Sequence, residues 1–269
     1  MTPLLKMKTP SLRQWGNLPS LESVAPASRG LVSPPVWWDY ELTAQGGNRY
    51  PVLGNDIESD CVIAWELHTI ESQWRRLVAE RKVVAPDVIA TGADADAAFW
   101  AEVDRQAASP QPHVPPGPGL NPVQAVIDWK NYGLKCATET NFAAGAVTIT
   151  SKEPSLIRYA AYNCAGLGLM LELPDNYTEL AAQSPQAPWS VSGAPDPSLG
   201  HMALLSGYSG SLVGIKSWGQ AYSATWDWVF TYCVGMIGVL GSDWVSRMGS
   251  LDITALEAKL VALGGNTVF

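Results

Sequence analysis

Two different hydrophobic rhythms divide this chain, and any fold it adopts must accommodate both. Apolar residues at Val62, Ile63, Trp65, Leu67, Ile70, Trp74 and Leu77 recur at near-helical spacing, which predicts a helix over about 60–82 with Ser59 or Asp60 as its N-cap. Two more helices are expected, one over Asp96–Ala108 and one over PVQAVIDWKNYG at 122–133, with Pro122 in its first turn and Gly133 as its stop. The loop SPQPHVPPGPGLNP between them holds too many prolines for regular structure. AAGAVTITS at 143–151 then reads as a strand, EPSLIRYAAYNCAG at 153–166 as a helix and LGLMLELP at 167–174 as a buried strand. Further on, HMALLSGYS at 201–209 and SLVGIKSWG at 211–219 are short β-like runs separated by a Ser-Gly turn, a hairpin signal. SATWDWVFTYCVGM at 223–236 reads as a helix capped by Ser223, GVLGSDW at 238–244 as a strand, and LDITALEAKLVALGG at 251–265 as a terminal helix stopped by Gly264. Helices come first and an antiparallel sheet later, so the fold class is α+β. No internal repeat is visible.

With 269 residues, the chain is long enough to bury a substantial core as one large domain or two small ones, without help from metals or disulfides. It is 47% hydrophobic and only 16% charged, which marks it as globular rather than disordered. The net charge of −8, with no basic cluster longer than the pairs Arg75-Arg76 and Arg81-Lys82, argues against a nucleic-acid-binding surface. Cys61, Cys136, Cys164 and Cys233 are too scattered for a CxxC motif, and His68, His113 and His201 are equally dispersed, so neither a metal nor a cofactor is expected. Asp94 and Asp96 have no third ligand at calcium-loop spacing, and ATGADADAAFWAEVDRQ reads as a solvated helix face.

The N-terminus lacks an uninterrupted apolar segment, and no later stretch has the roughly 18 apolar residues in a row that a membrane span needs. The expectation is a soluble chain without a secretory signal or membrane association, carrying four free thiols. Residues 1–50 are rich in Pro, Ser and Gly and read as an extended arm; 51–250 form the main domain, divided into a helical half at about 51–140 and a β-rich half at about 141–250; 251–269 form a terminal helix and tail. The aromatic group WWDY at 37–40 would anchor the arm either on this domain or on a neighbouring chain, since tryptophans are costly to leave in water.

A thiol in the first turn of the 60–82 helix sits where backbone N–H groups and the macrodipole favour negative charge, so Cys61 is expected to have a lowered pKa. A histidine beside it could take its proton and later protonate a leaving group. His201, which follows Gly200 and begins a strand, is the best candidate. His68 lies about two turns further along the helix of Cys61 and reads as a helix-face residue, His113 as a solvated loop residue. Cys136, Cys164 and Cys233 read as packing residues.

Four blocks give these residues a context: GNDIESDCVIAW at 54–65, ELPDN at 172–176, GHMALLSGYS at 200–209 and GIKSWGQAYSATWDW at 214–228. In order and content they resemble the papain-like cysteine peptidase superfamily, in particular its short phage- and prophage-encoded versions. The resemblance implies a helical half carrying the nucleophile followed by an antiparallel β half. Position by position, it makes Cys61 the nucleophile and His201 its base or ion-pair partner. Asn55 stands where such enzymes usually have an oxyanion-hole glutamine, and offers the same NH₂ donor on a shorter stem. Trp218 matches the tryptophan that shields the histidine. The usual orienting asparagine is replaced by Lys216, which makes Ser217 the hydroxyl partner of His201. Asp60 is a second departure: its carboxylate would raise the neighbouring thiol, unless it caps the helix amides.

The resemblance thus implies a thiol hydrolase that cleaves a peptide or other amide bond, acting on a protein, a peptide or a peptidoglycan stem, in a bacterial host cytoplasm or a phage virion. The rival reading keeps the fold as a catalytically weak or inactive virion component, in decoration, adhesion or head-to-tail assembly, with the N-terminal arm laced onto other phage structural proteins.

Overall fold

The structure is a computed structural model, and it describes residues 35–36, 38–39, 51–79, 89–150, 152–182 and 187–248. The expected terminal helix at 251–265, Trp37, Tyr40 and most of the N-terminal arm lie outside the described residues. In chain order the elements are β1 (Trp38–Asp39), α1 (Cys61–Ala79), α2 (Gly92–Gln106), α3 (Pro122–Tyr132), β2 (Leu134–Cys136), β3 (Glu139–Asn141), β4 (Ala143–Ile149), α4 (Pro154–Cys164), β5 (Leu167–Pro174), α5 (Tyr177–Ala182), β6 (Pro195–Tyr208), β7 (Leu212–Ser217), β8 (Gln220–Thr225), α6 (Trp226–Tyr232), β9 (Cys233–Gly241) and α7 (Ser242–Met248). The α+β expectation holds: three helices precede an antiparallel sheet ordered β4-β9-β5-β6-β7-β8, with β1 added to β6.

Both faces of the central strands are covered, because alternate residues on β5, β6 and β9 serve different cores. Met170, Met202, Leu204, Ile237 and Val239 pack with the apolar faces of α1, α2 and α3. Leu169, Leu171, Ala203, Leu205 and Met236 pack with α4, α6 and Trp244 on the opposite side. The first core explains a correction on α2: Asp96 and Asp104 face solvent, but Ala95, Phe99, Trp100, Glu102 and Val103 are buried, so the segment is an amphipathic core helix rather than only a solvated face. It starts earlier than expected because Thr91 and Asp94 form a reciprocal capping box.

Helix α1 approaches the sheet closely where β5 has Gly168. A Cβ at that position would collide with the Trp65 indole and the Met202 methyl. Trp65 therefore seats directly on the strand, one turn after Cys61, and the first turn of α1 is held at a fixed height over β6.

The SATWDWVFTYCVGM segment departs from the expected single helix. Residues up to Thr225 belong to β8, only Trp226–Tyr232 is helical, and Cys233 already opens β9, which runs to Gly241 before α7. The cap is Thr225, whose side chain accepts the Trp228 N–H, rather than Ser223. Aromatic and β-branched residues suit either state, and the strand pairings on both sides decide the matter. The β2–β3 hairpin and α5 were not expected, and β6 extends back to Pro195.

In the arm, Trp38 is buried against Tyr162 and Tyr208, and β1 pairs with the end of β6 beyond the last β5–β6 pair, Leu167↔Leu205. Tyr208 donates its hydroxyl to the Pro35 carbonyl. At Trp38 the arm docks on its own domain. All four cysteines are free, and among the described residues no helix is long and apolar enough to cross a membrane.

Substituting Gly168→Ala forces a methyl into the Trp65–Met202 contact and is expected to cost about 1–3 kcal/mol. A urea unfolding series that finds the variant as stable as wild type contradicts this account of the helix-to-sheet distance.

Candidate active site

The loop that leads into α1 is pinned at three places. His68, buried on α1, donates Nε2–H to the Pro51 carbonyl at 3.1 Å, so it is an internal anchor and not simply a residue of a helix face. Val52 packs against Gly219, where a Cβ would stand 2.5 Å from Val52 Cγ2. Ser59 donates its N–H to Pro116 O at 2.8 Å and its hydroxyl to Gly117 O at 3.2 Å. The proline-rich loop, expected only to lack regular structure, is thus a brace for the residues before Cys61. It is held in turn by Phe99 and Trp100, with exposed His113 stacked on Trp100 and hydrogen-bonded to Asp104.

Cys61 opens α1 and is only 1% exposed. Neither expected cap operates through its side chain: Ser59 Oγ is spent on Gly117, and both Asp60 carboxylate oxygens lack a partner. The N–H groups of Met202, Val62 and Cys61 itself face Sγ and favour its charged form, but burial outweighs them, the Asp60 charge adds to it, and the thiol is pushed up to about 12. The expectation of a lowered thiol pKa is therefore overturned, because a helix N-terminus is worth only about 0.3–1 kcal/mol and full desolvation costs more.

His201 lies on β6 next to Met202, whose N–H meets the sulfur. Its Nε2 is joined to Ser217 Oγ at 2.7 Å. No hydrogen bond joins Cys61 to His201 among the described residues; the two are brought together through Met202. Burial pushes the His201 imidazole down to about 3. Strand alternation puts Lys216 on the face of β7 opposite to Ser217. The resting site pairs a neutral thiol with a neutral imidazole.

The β7–β8 connection explains the position of Trp218. Ser217 pairs with Gln220, and the two residues between them, Trp218 and Gly219, have φ values of 47° and 71°. Both central residues of this two-residue turn are left-handed, the type I′ pattern, in which a bulky first residue is strained. That strain turns the indole onto His201, with ring centroids 4.6 Å apart and planes at 22°. Behind it stand Trp189 and Tyr222.

Asn55 follows Leu53 and Gly54, both left-handed, and its N–H closes the turn onto Val52 O at 3.2 Å. It is 7% exposed, and its side-chain amide makes no hydrogen bond among the described residues. It stands on the loop that leads into Cys61. Sequence reasoning missed the contributions of Met202 N–H and the Pro116–Gly117 brace. A backbone donor has no side-chain signature, whereas the density of prolines in 109–122 could have suggested a rigid strap. Among the described residues, no group of His, Cys, Asp and Glu side chains could hold a metal ion.

No protein-family model and no curated protein sequence matches the chain. Solved structures do. Xylellain, a cysteine protease from Xylella fastidiosa, is 10% identical with a TM-score of 0.51, over 87% of this chain and 93% of its own. Procathepsin B S9 from Trypanosoma congolense is 10% identical with a TM-score of 0.55, over 88% and 87% respectively. Digestive procathepsin L 3 of Tenebrio molitor larval midgut is also 10% identical, with a TM-score of 0.54, over 84% and 76%. The fold is papain-like, with the helical part first and the antiparallel sheet after it.

Burial also makes the site sensitive to acid. The folded chain takes up the protons of His68 and His201 only near pH 4 and 3, whereas the unfolded chain takes them up near 6.5. Their contribution to stability is full above pH 6.5 and is lost as pH falls, by up to about 1.4 kcal/mol per unit for each ring. Buried acids such as Glu66, raised in pKa, act in the opposite sense, so the readout is the difference between wild type and a His201→Gln variant. That difference in urea unfolding free energy is expected to shift against wild type between pH 6.5 and 4; a difference independent of pH contradicts a neutral buried ring.

Proposed function

We propose that the protein is a papain-like cysteine hydrolase that cleaves a peptide or other amide bond through Cys61 and His201. The observation that carries this reading is the His201 Nε2 to Ser217 Oγ hydrogen bond beneath the stacked Trp218 ring, on the strand whose Met202 N–H meets the Cys61 sulfur. With Nε2–H donating to Ser217 Oγ, Nδ1 is left as an acceptor. It takes the thiol proton as Sγ attacks the carbonyl carbon, so charge forms at the moment of reaction rather than beforehand. The Cys61 N–H and the Asn55 amide donate to the oxyanion of the tetrahedral intermediate. The imidazolium then returns its proton to the leaving amine, and water hydrolyses the thioester by the reverse sequence. Ser217 holds the ring as asparagine does in other papain-like enzymes, and Trp218 keeps water from that bond.

The four sequence blocks that resemble phage- and prophage-encoded peptidases support such an origin. A protein or peptide is the simplest substrate, since an extended chain presents the amide that this arrangement attacks. One observation favours the rival reading, a papain-like virion module of weak or absent activity. Cys61 and His201 are 1% and 4% exposed and no direct hydrogen bond joins them. Apo geometry often tightens only in the substrate complex, so hydrolysis remains the preferred reading.

Labelling with an electrophilic cysteine-protease probe at neutral pH separates the two. Wild type is expected to label at Cys61, Cys61→Ala not at all, and His201→Ala more slowly by about 10²–10⁴-fold, with Ser217→Ala between them. A Cys61 that reacts like an ordinary buried thiol, unaffected by loss of His201, selects the structural role.

A further inference from the structure

Asp60 immediately precedes Cys61, is 1% exposed and has no hydrogen-bond partner on either carboxylate oxygen. Its Oδ2 is turned back toward Gly54, 3.1 Å from where a Cβ would stand there. The titratable groups facing it are Asp56 and Glu58 on its own loop, Asp96 on α2, and the Cys61 thiol. From the proline-rich brace, His113 is engaged with Asp104 instead. Among the described residues no lysine or arginine pairs with Asp60. An ionised carboxylate in this place would be desolvated and surrounded by like charges, with only its own backbone N–H to favour it, a combination that a single proton relieves.

We infer that Asp60 is kept as a neutral carboxylic acid and acts as a gate on Cys61. While it holds its proton, the three N–H groups around the sulfur can support a developing thiolate; once it releases that proton to solvent, an adjacent negative charge opposes the thiolate. Burial, with help from Glu58, pushes the carboxyl from 3.8 up to about 8, which puts the gate on the alkaline side of neutrality. The effect is one-sided. Asp60 charge raises the Cys61 thiol, whereas His201 is shifted by burial alone. The consequence for catalysis rests on the hydrolase reading above; the protonation of Asp60 does not.

Three measurements test this. In wild type, the ¹³C carboxyl resonance of Asp60 is expected to titrate near pH 8; titration in the ordinary range near 4 overturns the inference. Against the near-isosteric Asp60→Asn variant, wild type loses stability as pH rises from 3.8 through about 8, because the unfolded carboxyl ionises first. The gap in urea midpoint therefore widens across that window and levels above it, and a constant gap overturns the inference.

Alkylation of Cys61 by iodoacetamide, followed by peptide mass spectrometry, reads the gate itself. The ratio of variant to wild-type rate is expected to be close to one at about pH 6 and to rise roughly tenfold by about pH 9. A ratio independent of pH, or a Cys61 unreactive in both proteins, removes the gate. The same assay on His201→Gln distinguishes the two failures: a Cys61 rate indifferent to His201 counts against hydrolysis, while the Asp60 ratio still reports on the gate.

Discussion

The contact between Trp65 and Gly168 fixes how closely helix α1 can approach the sheet, and the geometry of the candidate site follows from that distance. Cys61 lies one turn before Trp65, so seating the indole on β5 delivers the sulfur to the backbone of β6 at Met202. Side chains in a close-packed core cannot be displaced without cost, which turns a packing contact into a positioning device. The loop before Cys61 is then fixed from the other side by His68, Gly219 and the Pro116–Gly117 brace. Elements that are far apart in sequence converge on a stretch of ten residues, 51–60.

Closure of this arrangement decides its electrostatics. A helix N-terminus offers about 0.3–1 kcal/mol to an anion, whereas raising a thiol from 9.0 to about 12 corresponds to about 4 kcal/mol against ionisation. Burial wins, and it also strips His201 of its proton down to about pH 3. On the proposed hydrolase reading, proton transfer from sulfur to imidazole therefore belongs to the reaction with substrate, when the oxyanion donors gain a charge to stabilise. Strain is concentrated in the same place: Trp218 holds a left-handed backbone conformation so that its ring covers His201.

Much of this could be read from the sequence, for identifiable reasons. Helix α1 was legible because its apolar residues recur at helical spacing and are buried along its length, and the β6–β7 hairpin because Ser-Gly separates two β-rich runs. Ser217 was legible as the residue that could replace an asparagine by its hydroxyl, and it is the residue bonded to His201. The segment at 223–236 was misread because its aromatic and β-branched residues fit a helix as well as a strand, and only pairing with β7 and β5 separates the two. The state of Cys61 was misread for a different reason: the helix dipole is a local feature visible in sequence, whereas desolvation depends on what folds over the site from a distance. Asp60 shows the same limit. Its position suggested a cap, yet both carboxylate oxygens are buried without a hydrogen-bond partner.

The most direct test of the central claim is a crystal structure of the protein reacted with a peptide aldehyde. The account predicts a hemithioacetal on Cys61 Sγ, with its oxygen facing the Cys61 N–H and the Asn55 amide, and His201 Nδ1 within hydrogen-bond distance of the adduct while Nε2 remains on Ser217. An aldehyde bound to another cysteine, or a Cys61 left unmodified in a closed site with Asn55 and His201 turned elsewhere, contradicts it.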